Sequence, residues 1–501
     1  MFSHVNIVNR SIRMSIGLVI KAWWTLLLLV LSFSSFANNE PPKNPYLADS
    51  VWPMSHRNPY NQASTPHRGI EAGDKVDKDF QRTLITAITL AYSNTYSKTG
   101  KPVVWGSTVG SIYKMDLSSS RIKKFDSVIK PMNEDPLSGA YTLVDKDNQF
   151  YVPGDRLLSR YGDEKEGDPS SDIELKAVFE VPNELLRTDT EHIVGINMSY
   201  DGHLILATSL GLILAVSRDF SDYVSLSLGE NQQVSNSIAV DEEGGIFVVT
   251  NQAMHRVQWD GTDLSLAWSA EYESGPDTPF PGRLGIGSGS TPTLMGKQGE
   301  DKFVVFTDGG ELMNLVLMWR DQIPEDWQPL GEGIDRRIAA QFPITFGVGD
   351  REKSISEQSV LVRGHSAMVV NNEYQWDTSG LAGLWGKLTV LFSNLPANAP
   401  YGVEKFSWQS DSRQLVSDWS NQLSCPNGIP TMSEASNLAY CWGQRKGKWT
   451  LEGMNWDTGA SEVVIPIGYL PKYNSVYAAT QVVDQGQVVS GTAGGITRLG
   501  K

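Results

Sequence analysis

The chain reads as an all-β protein: an eight-bladed β-propeller of four-stranded antiparallel blades, with seven blades as the alternative count. Three observations predict it. From about residue 81, short alternating apolar runs are broken by Asp-Gly, Gly-Gly or Asn turns, the mark of evenly spaced short strands. One layout then recurs: a strand, a turn, a second strand ending in small residues, a Gly and a third apolar strand. Equivalent positions stand 42 residues apart from Ile196 to Ile238, and 55 apart from Ile238 to Thr293. Those intervals fit four-stranded blades with variable loops.

Taken from the N-terminus, residues 1–37 read as a secretory signal. Arg10, Arg13 and Lys21 precede an apolar stretch from Trp23 to about Leu31, and Ser35-Phe36-Ala37 offers a cleavage site. Met14 is a second candidate start. An uncleaved membrane anchor is the alternative, because adding Ile16 to Ile20 nearly reaches a spanning length. No cysteine follows the apolar stretch, which argues against a lipid anchor there. Export implies a periplasmic or secreted protein, where disulfides persist. Cys425 and Cys441 are therefore expected to form a bridge, with two free buried thiols as the alternative. A turn near Glu434–Ser436 does not set them directly opposite, so an offset is needed. Neither has the spacing of a zinc site.

Residues 38–80 form a Pro- and Asn-rich lead-in, "NPYLADSVWPMSHRNPYNQAST" among them, and residues 81–501 the propeller. The clearest copy is "GINMSYDGHLILATSLGLILAVS". "GAYTLVDKDNQFYVPGDRLLSRY", "SIAVDEEGGIFVVTNQAMHRVQW", "TPTLMGKQGEDKFVVFTDGGELMNLV" and "ATQVVDQGQVVSGTAGGITRL" follow the same plan. "VVWGSTVGSIYKMDL" matches its second half, and "CPNGIPTMSEASNLAYC" is another copy. A weaker one runs from about Ser359 to Trp419, with "HSAMVVNN" as its inner strand. Residues 315–343 interrupt the rhythm and read as a loop insertion with a helical turn on one ring face. The 15 Trp supply rigid fillers between sheets.

Composition bounds the partners. At 40% hydrophobic and 20% charged residues, the chain has ample core for a soluble globular fold. A net charge of −15 argues against a nucleic-acid partner, which would require clustered Lys and Arg. It suits solubility or a cation site.

"WPMSHR" (Trp52–Arg57) resembles the W-P-x-x-R lead-in of the quinoprotein-like β-propellers, and "SGSTPTLMG…DKFVVFTDGGEL" is similar to their repeat. The enzymes of that group hold pyrroloquinoline quinone between a Trp and an adjacent Cys-Cys pair. This chain has no adjacent cysteines and no C-x-x-C-H run. The resemblance therefore implies the ring without the quinone: a binding or scaffolding module, as outer-membrane assembly propellers are. A quinone-dependent dehydrogenase is one alternative.

A second resemblance implies another. "PNGIPTMSEASNLAYCW" is similar to a blade of the senescence-marker/gluconolactonase and paraoxonase-like propellers, where an Asn at an inner-strand start coordinates a divalent cation. Carried over, that role falls on Asn427 and, through the internal repeat, on Asn236. Ca2+ is the ion such a site would take, in a calcium-dependent lactonase or esterase. Hard cations need several converging oxygens. The positions equivalent to Asn236 in other blades are Val194, Ala140 and Ala478, so Glu191 is the added candidate ligand and His192 beside it a candidate base. Arg283, His365 and Asp308 complete the pocket candidates. His365 and Ser366 are adjacent, and adjacency alone does not make a Ser-His-Asp relay, because neighbouring strand residues point to opposite faces. The expected partner is a protein or a small-molecule ligand. Contact with a membrane is expected only through the signal segment, if uncleaved.

Overall fold

A computed structural model describes residues 39–83, 88–131, 140–276, 283, 285–376, 389–483 and 486–500. The signal segment, residues 1–37, lies outside the described residues. Within Pro41–Lys501 the strands group into eight antiparallel four-stranded sheets, one of which gains a short fifth strand. Blade 3 shows the plan, with Ile193–Met198, Leu204–Thr208, Leu212–Val216 and Tyr223–Ser227 paired in chain order. Its first three strands are buried and its last is largely open to solvent, which sets the inner-to-outer order. Blades 1 to 7 occupy residues 89–129, 143–180, 193–227, 239–271, 293–343, 361–421 and 431–468.

Blade 8 closes the ring. Its three inner strands come from 480–499, and its outer strand, Lys78–Arg82, precedes blade 1. Lys78 pairs with Leu499 and Arg82 with Gly495, so one sheet binds the two ends of the chain together. Only the short outer edge of each blade is then left open. The eight-blade count is the correct one.

Two local readings are corrected. The 315–343 insertion is shorter than read: Asn314–Trp319 and Ile338–Pro343 are the third and fourth strands of blade 5, and the loop between them is 320–337. In blade 6, "HSAMVVNN" supplies the second strand, Ser366–Val370, whereas the inner strand is Leu361–Arg363. The interrupted rhythm there comes from the 371–402 connection between strands 2 and 3, which carries a short 3-10 helix at Thr389–Phe392.

The core lies between blades. Ile205, Ala207, Ile213 and Ala215 of blade 3 pack on Ile238, Val240, Ile246, Val248 and Trp259 of blade 4. Each sheet thus buries both faces against its neighbours. Trp fills these seams as expected: Trp105 stacks on Phe150 across blades 1 and 2, and Trp408 meets Phe303 edge-on across blades 6 and 5. Where inner strands crowd, Gly is required. A methyl on Gly491 would stand 1.7 Å from the Ile88 carbonyl of the next blade.

Cys425 and Cys441 form the bridge. Ser424 pairs with Gln444 and Thr431 with Tyr440, so the six residues 425–430 stand opposite the three residues 441–443, which supplies the offset. Closing 16 positions of chain contributes about 3 kcal/mol on the chain-entropy model.

Candidate functional site

Antiparallel order sorts the loops onto two faces. Starts of inner strands and turns between strands 2 and 3 share one, here the entry face; turns between strands 1 and 2, and between 3 and 4, share the other, the hairpin face. Inner strands of every blade converge on the axis, so this is where residues distant in sequence can act together.

The lead-in takes much of that position. Its carbonyls accept from inner-strand amides in turn: Trp52 from Tyr92, Pro53 from Val144, Pro59 from Val240, Tyr60 from Leu294, Gln62 from Val362 and Ala63 from Met432. Ser64–Thr65 then adds a parallel strand to blade 7 at Met432 and Ser433. An irregular backbone can stay buried only if its polar groups are paired, and the inner edges pair them. To follow a circle the segment bends sharply, with Arg57, Asn61 and Ala63 in the left-handed region. Trp52, Tyr60, Asn61 and Thr65 are fully buried.

Asn427 precedes the inner strand of blade 7 on the entry face. Its Nδ2 donates to Ser393 Oγ at 2.9 Å, and its Oδ1 accepts from Ser475 Oγ at 3.0 Å. Asn236, before the inner strand of blade 4, donates to the Ser288 carbonyl at 3.2 Å. Next to Ser288, Gly289 lets Glu357 approach: a methyl there would lie 2.3 Å from Glu357 Oε1. The Glu357 charge helps raise the hydroxyl pKa of Tyr374 and Tyr477, behind the larger effect of their burial. Those hydroxyls lie 3.2 Å apart, and Tyr374 also bonds to Asn427. Asn236 with Ser288 and Glu357, and Asn427 with Ser393, Ser475 and Tyr374, thus lie in entry-face loops, and the Glu357 charge acts on both tyrosines. Tyr141 of blade 2 reaches Thr291 of blade 5 at 3.3 Å, and its ring centroid lies 5.5 Å from that of His56 in the lead-in. Burial lowers His56 to about 4, so it stays neutral at physiological pH.

The other candidates separate. Glu191 is buried, but its two carboxylate oxygens accept from the Arg187 amide and the Thr208 hydroxyl within blade 3. His192 bonds the Thr190 carbonyl through Nδ1. Arg283 and Asp308 do come together on blade 5: Arg283 donates to the carbonyls of Gly287 and Gly310, and Asp308 accepts from Asn314 and Gly310. Burial raises Asp308 to about 6. His365 is not at an inner-strand start. It occupies the turn between strands 1 and 2 of blade 6, on the hairpin face, with Nε2 2.9 Å from the Asp301 carbonyl.

No three His, Cys, Asp or Glu converge among the described residues, the Asn427 carbonyl already accepts from Ser475, and the Glu191 carboxylate serves its own blade. What the cluster offers is one carboxylate, protonated tyrosines and amides, groups that recognise polar ligands by hydrogen bonds. Sequence reasoning missed Glu357, Tyr141, Tyr374, Tyr477 and His56. His56 sits inside the quoted "WPMSHR", and the aromatic 371–402 stretch was the available signal for Tyr374.

No family model matches the chain. BamB from Moraxella catarrhalis is similar over 85% of this chain and 97% of that one, at 10% identity and a TM-score of 0.49. Virginiamycin B lyase from Staphylococcus aureus is similar over 76% and 97%, at 12% identity and a TM-score of 0.38. At such values neither bears on what this chain binds. An uncharacterized protein of Archaeoglobus fulgidus is 45% identical over 468 residues, 92% of this chain and 89% of that one. With that identity over nearly the whole of both sequences, the chain belongs to the family of the Archaeoglobus fulgidus protein.

Proposed function

We propose that this protein is an exported quinoprotein-like propeller that binds a protein or small-molecule ligand through its entry face, with neither a quinone nor calcium taking part. The observation that carries this reading is the occupancy of the axis. Inner edges of blades 1, 2, 4, 5, 6 and 7 are hydrogen-bonded to the chain's own residues 52–63. Recognition is thereby moved outward to the entry-face loops, where Glu357, Tyr374, Asn427 and Asn236 gather. The basic, apolar and small-residue order of residues 1–37, together with the Cys425–Cys441 bridge, supports export to the periplasm or beyond.

Photo-crosslinkers placed in the producing cell test this directly. Positions Gln252 and Asp350 lie on entry-face loops, Glu325 and Gln328 on a hairpin-face loop. Adducts of defined mass are expected from the first pair alone. Adducts only from the second pair would overturn the reading. So would chelator-sensitive ester hydrolysis abolished by Asn427→Ala, which would instead establish the calcium-dependent hydrolase.

A further inference from the structure

In a chain with 57 acidic residues among 501, residues 389–403, 435–451 and 463–483 contain no Asp or Glu. The fold brings the loops of all three to one place. The 389–402 part of the blade 6 connection, the strand 2–3 turn of blade 7 and the connection from blade 7 to blade 8 all open on the entry face. Asn394 Nδ2 ties them, donating to Gly447 O at 2.6 Å and to Tyr469 O at 3.3 Å.

These loops carry an apolar patch. Trp376, Phe392, Leu395, Tyr469 and Leu470 are between 38% and 62% exposed. Trp376 and Phe392 have ring centroids 6.2 Å apart, and Lys448 Nζ lies 4.8 Å from the Tyr469 ring centre. The other large exposed apolar side chains lie along outer strands, except Leu330 on the hairpin face. Around the patch stand Lys446, Lys448 and Lys472, none in an ion pair among the described residues.

We propose that this patch docks on the surface of an anionic phospholipid bilayer. Aromatic and aliphatic side chains open to solvent beside lysines are the chemistry of the membrane interface, where amphipathic rings settle at headgroup depth. The charge argument selects the lipid. A protein of net charge −15 is repelled by an anionic surface everywhere except where its carboxylates are missing. Around Phe392, Leu395, Tyr469 and Leu470 the sequence lacks them and lysines stand instead, each adding attraction to anionic headgroups, while Glu373 near Trp376 is paired with Arg351. A contiguous exposed patch of this kind marks an interaction site on a folded protein. This inference stands apart from the ligand reading above, since neither needs the other.

The test uses the full chain with a single reporter thiol, available because both native cysteines are bridged. Leu470→Cys carries an environment-sensitive fluorophore, and Leu330→Cys on the opposite face carries the same label as control. With phosphatidylglycerol vesicles, the Leu470 label should brighten and shift to the blue while the Leu330 label stays unchanged. Phosphatidylcholine vesicles should produce little change at either position. Lys446→Glu with Lys448→Glu should weaken vesicle binding roughly tenfold or more. Because every variant keeps the apolar run Trp23–Leu31, the difference isolates the patch. A silent Leu470 label on vesicles that bind the chain would overturn the proposal. So would equal changes at both positions, or a change that follows protein concentration without vesicles, which would assign the patch to a second copy.

Discussion

The two ends of the axis are built from the same eight inner strands and differ in what covers them. Toward the hairpin face, the lead-in is tied down by aromatic and charged contacts. Tyr60 stacks under the buried Arg320 guanidinium at 5.0 Å and donates its hydroxyl to Glu242, while Asp241 lies 3.8 Å from Arg320. Toward the entry face, the contacts are amides, hydroxyls and the Glu357 carboxylate, reached by loops from several blades. The difference teaches that one end of a propeller axis can be pinned by rings and charges while the other is held by hydrogen bonds, the end to which we assign the proposed recognition. A plug pinned by buried rings resists displacement, whereas a hydrogen-bonded cluster can exchange partners with a ligand at little net change.

Breaking the plugged end should have the largest effect. Tyr60→Ala removes a fully buried ring packed among Phe247, Leu294 and Phe306, and is expected to lower unfolding stability by about 3–5 kcal/mol. Denaturant titration measures it. A loss below about 1 kcal/mol would mean that the lead-in is dispensable and the contrast between the ends false.

Acid sharpens the comparison. Burial depresses His56 to about 4, while the unfolded chain protonates it near 6.5. The stability it contributes is complete above pH 6.5 and is lost as pH falls toward 4, on the order of 3 kcal/mol. His255, also lowered to about 4 by burial, acts with the same sign. Asp308, raised to about 6, acts oppositely between about pH 4 and 6, so parent and variant must be compared. His56→Gln should reduce the slope of melting temperature between pH 6.5 and 4. An unchanged slope would place His56 in water.

The smallest expected effect is at the entry face. Calcium should leave the melting temperature within about 1 °C, because a ligand specific to the native state must raise it by mass action and the oxygens at Asn427 are engaged. A calcium-dependent rise abolished by Asn427→Ala would restore the axial cation site.

Much of the fold was legible in residues. Alternation such as Leu204–Thr208 and Leu212–Val216, repeated with small residues between, dictates paired short strands. Only stacking can bury both faces of such sheets. Blade 6 was harder to read, because its 32-residue connection from 371 to 402 interrupts the spacing that identified the others. The site was legible in part. Asn236 and Asn427 were singled out and both stand in entry-face loops among polar groups, but Glu357 and Tyr374 have no local pattern that marks them, since their surroundings come from loops of several blades.

Local pattern and repetition determined the strands, the blade unit, the bridgeable cysteines and the surplus of negative charge, because each depends on neighbours within a few tens of residues. Tertiary structure alone decided that residues 52–65 would line the axis and that Lys78–Arg82 would complete the last blade. It also decided that three acid-free segments, 389–403, 435–451 and 463–483, would bring their loops to one face. Those outcomes depend on ring closure, which brings residue 78 beside residue 499, and no interval along the chain encodes that meeting.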